Sequence, residues 1–151
     1  MSLERRNELI EDLCAVLDLP NPASVVDAGK LQAGGFDVAI DFFEPDPHAI
    51  YLNFEYGMVS AGRTLRVMRL LLEANLTIYA QDQAQLGLDP DTGGIILLIR
   101  VPLTDEVDGG YLGELLDHYV EHGRYWRDNI VQSSDEMFEQ LSRGAYAWIR
   151  A

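Results

Sequence analysis

The sequence is poor in the features on which disulfide-bonded, secreted and membrane-spanning proteins depend. It has one cysteine, Cys14, and no apolar run of about 18 residues, the length that crosses a membrane. A single cysteine excludes an internal disulfide, and Cys14 falls on the apolar stripe of a predicted helix, as a small core side chain does. No basic leader precedes an apolar segment. We therefore expect a soluble, reduced, cytoplasmic protein without membrane insertion.

Positive charge is also scarce. The 151 residues contain 11 Lys+Arg, of which one is lysine, against 25 Asp+Glu, and the formal net charge is −14. Acids exceed bases twelve to six in residues 1–75 and thirteen to five in residues 76–151, so the acidity is not confined to a tail. Because phosphate binding needs clustered cations, this charge argues against nucleic acid and anionic membrane surfaces. It suits basic or neutral peptides as partners.

Motifs that carry catalysis are missing as well. The paired glycines are not followed by a phosphate-loop lysine, and no serine lies in a Gly-x-Ser-x-Gly context. His118 and His122, with Glu114 one turn earlier, could ligate zinc in principle. However, Tyr119 stands where the HExxH motif has its glutamate. We favour a solvated helix face here, and we predict no catalytic residues, no metal and no cofactor.

The stretch GLDPDTGG, residues 87–94, has the composition of a calcium loop or of a turn. If Asp89 is position one of an EF-hand loop, position twelve is Arg100, where that loop needs a bidentate glutamate. A turn needs nothing further, because Pro90 fixes φ near −65°, Asp91 tolerates turn geometry, and Gly93 or the next glycine accepts positive φ. The sequence predicts a β-hairpin.

Regular hydrophobic periodicity is what the sequence does have. A period of 3.6 residues predicts helices over residues 3–18, 62–76, 110–130 and 133–150. The last of these begins with a capping box from Ser133 to Glu136. A period of two predicts strands over residues 36–42, 50–58, 86–88 and 95–101. Residues 23–35 are expected to form a loop with a short strand at 24–26.

This order of elements, α-β-β-β-α-β-β-α plus an extra C-terminal helix, predicts an α+β fold in which helices flank an antiparallel β-sheet. We expect a single domain over residues 1–151, with its core in residues 3–130 and the additional helix at 133–150.

Two elements have more apolar surface than one core needs. Apolar residues of the helix at 62–76 cover an arc of about 200°, roughly twice what a helix lying on a sheet buries. We expect its second face to contact another subunit, although a central helix covered by the other helices is the alternative. The strand at 95–101 is apolar on both faces apart from Arg100. Such a strand is central or has a partner on its outer face.

The motifs in the middle of the chain resemble those of a known family. LLEANL at residues 71–76, LGLDPDTGGIILLIRVPL at residues 86–103, and then a long helix with Tyr119 and Trp126 are similar in order and spacing to the type III secretion chaperone family, also called Tir chaperone-like. The resemblance covers residues 3–130 by element order and residues 65–103 by motif.

The resemblance implies a cytosolic homodimer of a Gram-negative bacterium that binds the N-terminal segment of a secreted effector. Such a chaperone keeps the effector soluble and secretion-competent, and it is not an enzyme. A protein-interaction or regulatory module of the same fold, without a secretion client, is the alternative.

The resemblance also implies two sets of site residues. The dimer interface would use the second helix of the family fold and the adjoining strand, here Leu65, Met68, Leu72, Leu76 and Leu86. The effector would bind the first helix and the outer face of the sheet, here Leu9, Leu13, Val16, Phe43, Tyr51, Ile96 and Leu98.

Overall fold

A computed structural model describes residues 2–142, in which five α-helices accompany five strands. The helices are α1 (Ser2–Val16), α2 (Pro22–Ala28), α3 (Thr64–Asp82), α4 (Gly109–Trp126) and α5 (Asp135–Ser142). The strands are β1 (Lys30–Ala33), β2 (Phe36–Phe42), β3 (Ala49–Met58), β4 (Ala84–Leu88) and β5 (Gly94–Pro102). They form one sheet in the order β1-β2-β3-β5-β4. The predicted α+β fold with an antiparallel sheet is confirmed.

The chain divides into two compact units. The first comprises residues 1–53 and 100–120, and the second comprises residues 54–99 and 121–151. The first unit contains α1, α2, β1, β2 and most of α4. The second contains α3, β4, α5 and most of β5.

Apolar side chains of α1 and β2 fill the first unit. Ile10 of α1 and Val38 and Ile40 of β2 are fully buried, and β1 pairs with β2 so that Leu31 faces Val38. The guanidinium of Arg6 donates to the carbonyl of Ile40 at 3.0 Å, which fixes α1 against the strand. Since alternate residues of β2 are buried, the strand has one wet face, as its sequence pattern predicts.

In the second unit, the β4–β5 hairpin is closed by the acidic turn. Leu86 pairs with Leu97 in the hairpin. A side-chain oxygen of Asp89 accepts hydrogen bonds from the backbone nitrogens of Asp91 at 2.8 Å and Thr92 at 3.4 Å. Gly93 has φ of +71°, a conformation that strains residues with a Cβ. The predicted hairpin is confirmed, and Asp89 shapes the turn.

The prediction for residues 23–35 was wrong in part. Residues 22–28 form α2, and the first strand begins only at Lys30. The Asn21 side chain accepts from the backbone nitrogen of Ser24, and Pro22 occupies the first turn, where its missing N–H costs nothing. Gly29, at φ of +66°, ends the helix. The Asn21 cap and Pro22 therefore favour a helix here, although Val25 and Val26 are β-branched residues of the kind that strands prefer.

Several helix ends also differ from the prediction. Helix α3 continues to Asp82, and the long helix predicted to reach residue 130 ends at Trp126, where a π-helical turn (Arg127–Val131) replaces it. The cap of α5 is Ser134, whose hydroxyl accepts from the backbone nitrogen of Met137 at 3.2 Å. Ser133 is buried instead and accepts from Arg63. Residues 143–150 of the predicted last helix lie outside the described residues.

Candidate functional site

One face of α3 carries a row of exposed apolar side chains, which we call the α3 row. The exposed fractions are 81 % for Leu65, 47 % for Met68, 71 % for Leu72 and 86 % for Leu76. The opposite face is buried and consists of Val67, Leu70, Leu71, Ala74 and Ile78. The wide apolar arc of the sequence therefore divides into a buried face and an exposed face.

The α3 row forms an open depression of about 430 Å³, which Arg69 and Glu73 also line. These two side chains pair at 3.4 Å across one helical turn. An apolar strip with a charged border is the composition of a protein–protein contact, since isolated exposed leucines are common but a contiguous row is not.

A second apolar depression lies on the exposed face of the β4–β5 hairpin, and we call it the hairpin groove. It holds about 370 Å³ and is lined by Gln85, Leu86, Gly87, Leu88, Asp89, Pro90, Ile96 and Leu98. Ile96 pairs with Gly87, and Leu98 pairs with Gln85. A Cβ added to Gly87 would meet nothing within 4 Å, so the missing side chain leaves space above the strand.

The predicted contact residues of this hairpin lie on opposite faces. Ile96 and Leu98 are half-buried and border the hairpin groove. Leu86 is only 5 % exposed and belongs to the core of the chain. Because of the strand alternation, Leu86 cannot point the same way as Gly87.

Asn75 closes part of the edge of β4. Its side-chain amide donates to the carbonyl of Leu86 at 3.0 Å, and its side-chain oxygen accepts from the backbone nitrogen of Leu86 at 2.7 Å. These two bonds reproduce those of a neighbouring strand on the side of β4 away from β5. An added strand cannot pair with Leu86 while Asn75 is in place.

In the first unit, an aromatic pair and an ion pair form a connected cluster. The rings of Phe43 and Tyr51 meet edge to face with centroids 6.2 Å apart. The hydroxyl of Tyr51 donates to Asp46 at 2.6 Å. The guanidinium of Arg100 donates to both oxygens of the same carboxylate, at 2.6 and 2.9 Å. Arg100, the charged residue of the otherwise apolar β5, is therefore neutralised.

The cluster changes the acidity of its members. The hydrogen bonds from Arg100 and then Tyr51 lower the pKa of Asp46 from 3.8 to about 2. The bond to the Asp46 carboxylate raises the pKa of Tyr51, because losing the proton would leave two anions in contact. The same carboxylate raises the pKa of Arg100. The cluster is thus a fixed ion pair that holds the Tyr51 ring, and Phe43 remains 55 % exposed beside it.

The predicted binding residues of α1 divide into core and surface. Leu9 and Leu13 are fully buried, so their side chains are not accessible to a bound segment. The amphipathic pattern placed both on the apolar face, and that face is the one that packs on the unit's own core. Val16, in the last turn of α1, is 55 % exposed.

The residues that could have bound a metal or catalysed a reaction are too far apart, packed against aromatic rings or buried. Within residues 2–142, no three His, Cys, Asp or Glu side chains lie close enough to hold a metal ion. His122 packs between Tyr56 and Trp126, with ring centroids 5.8 and 6.3 Å away. Burial, and then the charge of Glu11, raises the pKa of the Cys14 thiol, which keeps it protonated. None of the described helices is long and apolar enough to span a membrane.

Sequence reasoning missed three features of these surfaces. Asn75 lies within the LLEANL motif, but a helical pattern does not show that an amide reaches a strand eleven residues later. The space above Gly87 comes from an absent side chain, which leaves no periodic signal. The pairing of Asp46 with Arg100 spans 54 residues. Pro45 and Pro47, on either side of Asp46, are the signal that the sequence offers for a rigid turn at that carboxylate.

Comparisons with solved structures find the same fold. A structure of the HopA1–SchA chaperone–effector complex matches with a TM-score of 0.63 and 18 % identity, and the match covers 84 % of this chain and 96 % of that chain. For the ExsC–ExsE complex, the TM-score is 0.65 and the identity is 16 %, and the match covers 85 % of this chain and 95 % of that chain. For the ExoT–SpcS complex from Pseudomonas aeruginosa, the TM-score is 0.55 and the identity is 21 %, and the match covers 81 % of this chain and 95 % of that chain.

A comparison with curated protein sequences found no significant match. The sequence profile of one protein family matches residues 8–127, which include α2 to α4, all five strands and most of α1. That range contains LLEANL, the hairpin and the long helix on which the resemblance was based. The chain belongs to the Tir chaperone protein (CesT) family.

Proposed function

We propose that this chain is a cytosolic, dimeric chaperone that binds the N-terminal segment of a type III secreted effector and keeps it soluble and secretion-competent, without catalysing a reaction. The observation that carries the proposal is the family match over residues 8–127. It is supported by a similar solved structure, HopA1–SchA, that is itself a chaperone–effector complex. The exposed apolar surfaces supply places for two kinds of protein contact.

The α3 row is the proposed dimer contact. A second copy would cover Leu65, Met68, Leu72 and Leu76, which are 47–86 % exposed in the single chain. A two-fold axis brings a patch against itself, and an apolar strip of this kind is self-complementary. Leu86 supports the interface from the core, since its side chain is buried and its backbone is held by Asn75 of the same helix.

The proposed effector contacts are Val16, Phe43 and Tyr51 in the first unit and Ile96 and Leu98 in the second. Leu9 and Leu13 are withdrawn from this set because the core buries them. The hairpin groove is apolar, and its open space above Gly87 suits a large apolar side chain of an extended segment. The net charge of −14 favours a segment that is basic or neutral between its apolar positions.

If the effector adds a strand to the sheet, we propose β1 as its partner. The sheet has two edges, β1 and β4. Asn75 already occupies the outward-facing backbone groups of Leu86 on β4. An incoming strand at the β4 edge would have to displace these two side-chain hydrogen bonds.

Co-purification with mapping of the bound segment tests the proposal. The tagged full chain is expressed in its own host, the bound protein is identified, and limited proteolysis shows which part of it the chaperone protects. We expect protection near the amino terminus of a secreted protein. Ile96→Glu and Leu98→Glu should each weaken binding about tenfold or more, since a charge enters an apolar contact. Tyr111→Glu, at an exposed aromatic outside the proposed contacts, is the matched control.

Two outcomes would count against this function. A bound protein that is not secreted would favour the alternative of an interaction or regulatory module with the same fold. Equal losses in the Tyr111→Glu control and the two groove variants would show that the hairpin groove has no specific part in binding.

A further inference from the structure

The chain continues past the family fold into a segment that docks on the start of α3. The family match ends at residue 127, and the structure describes the chain as far as residue 142; we call residues 131–142 the arm. The arm contains α5 (Asp135–Ser142), and both the arm and α3 lie in the second unit. Nothing in the proposed chaperone function uses this contact.

Arg63, a buried cation, makes several polar contacts with the arm. Its Nη1 donates to the carbonyl of Ile130, the residue before the arm, at 2.6 Å and to the hydroxyl of Ser133 at 3.1 Å. Its Nη2 donates to the carbonyl of Ser133 at 2.6 Å and to the carboxylate of Asp135 at 2.9 Å. The guanidinium also lies 4.6 Å from the centre of the Phe138 ring. Arg63 is only 7 % exposed, and its bonds to Ile130 and Ser133 are buried, whereas Asp135 meets it from the solvent side with its own side chain 98 % exposed.

The remaining contacts give the arm an acidic side and an apolar side. Glu139, one turn after Asp135, forms an ion pair with Arg66 of α3. Phe138 and Leu141 are 3 % and 7 % exposed, on the buried side of α5. Val131 lies against Gly57, where an added Cβ would meet its Cγ1 at 3.1 Å. The absence of a side chain at Gly57 therefore makes room for the arm.

The receiving surface has a charge that is rare in this protein. Arg63, Arg66 and Arg69 are three of the 11 Lys+Arg residues and lie within seven positions, in a chain whose net charge is −14. The arm supplies what such a surface binds: two carboxylates one helical turn apart, with an aromatic ring between them that stacks on a guanidinium.

We propose that the start of α3 is an interaction surface for a short acidic amphipathic helix, that the arm is its resident occupant, and that a segment of the same chemistry supplied in trans replaces the arm. The surface recognises the segment through Arg63, which binds a carboxylate and an aromatic ring together, and through Arg66, which binds the second carboxylate. The arm competes because it is tethered to the same chain.

A variant that weakens the arm but keeps the surface tests this. Phe138→Ala removes the ring that stacks on Arg63 and leaves Gly57, Arg63 and Arg66 unchanged. A fluorescent peptide with the sequence of residues 131–142 is titrated into the full-length chain and followed by anisotropy. We expect saturable binding to Phe138→Ala at concentrations about tenfold or more below those that wild type requires, because the tethered arm competes in wild type.

Two controls identify the groups that recognise the peptide. Adding Arg63→Gln to the Phe138→Ala chain should weaken peptide binding about tenfold or more, since the cation that joins carboxylate and ring is lost. A peptide with Asn in place of Asp135 and Gln in place of Glu139 should bind the Phe138→Ala chain more weakly than the parent peptide.

The inference fails if a folded Phe138→Ala chain does not bind the peptide saturably, because the arm is then a fixed part of the fold. It also fails if both peptides bind equally, because the carboxylates then have no role. If Phe138→Ala does not fold, Asp135→Asn with Glu139→Gln takes its place, since these side chains are 98 % and 41 % exposed and their loss leaves the core intact. Peptide binding at wild-type strength to that variant would likewise overturn the proposal.

Discussion

At the scale of single residues, Asn75 shows how one amide fixes an edge strand. Its side chain bonds both backbone polar groups of Leu86, at 3.0 Å to the carbonyl and 2.7 Å to the nitrogen. Asn75→Ala leaves a donor and an acceptor without these partners and should lower the free energy of unfolding by about 1–3 kcal/mol. Urea denaturation measures this, with Gln85→Ala on the same strand as control. A loss no larger than that of the control would show that the two bonds do not stabilise β4.

Asp46 makes stability depend on pH in a definite direction. Its pKa in the folded chain is about 2, below the ordinary value of 3.8. Because folding lowers the pKa of this carboxyl group, the ionised carboxylate stabilises the folded state when the pH is above the ordinary pKa. That stabilisation is lost as the pH falls from about 4 to 2. Urea denaturation across this range should show the difference between wild type and Asp46→Asn shrinking as the pH decreases. Asp41→Asn, at an exposed carboxylate of β2, is the control. A difference that stays constant down to pH 2 would contradict the prediction.

At the scale of elements, two glycines of the hairpin, Gly87 and Gly93, differ in backbone conformation. A Cβ at Gly93 or Gly87 would meet nothing within 4 Å, but Gly93 alone of the two has positive φ, +71°. Gly93→Ala should lower the free energy of unfolding by about 1–2 kcal/mol through backbone strain. Gly87→Ala should leave stability nearly unchanged and narrow the hairpin groove, and the proposed function then predicts weaker effector binding. Thermal denaturation and binding assays on both variants check this, and equal stability losses would exclude the role of φ.

Local patterns predicted elements well where the signal lies in the element itself. The alternation in β5 put Ile96, Leu98 and Arg100 on one face, and the arc of α3 gave that helix a second apolar face. The same patterns failed where a cap decides the structure, as at Asn21 before α2. They also could not show the docking of the arm, because Arg63 and Ser133 are 70 residues apart. Such contacts depend on tertiary structure, which amphipathic periodicity does not encode.

At the scale of the whole molecule, the α3 row connects the sequence to the state of assembly. Leu72 lies in the middle of the row and is 71 % exposed in the single chain. In a two-fold dimer, Leu72→Glu places two carboxylates in an apolar contact, where they lose hydration and repel each other. The dissociation constant should rise about 100-fold or more, which corresponds to about 2.7 kcal/mol. Sedimentation equilibrium over micromolar concentrations measures it. Leu3→Glu, at a leucine of α1 that is 52 % exposed and outside the row, should leave the dimer intact. Circular dichroism should match wild type for both variants, because neither side chain belongs to the core. A wild-type chain that stays monomeric over this range, or a Leu72→Glu chain that associates as strongly as Leu3→Glu, would remove α3 as the dimer contact and leave its apolar row for another partner.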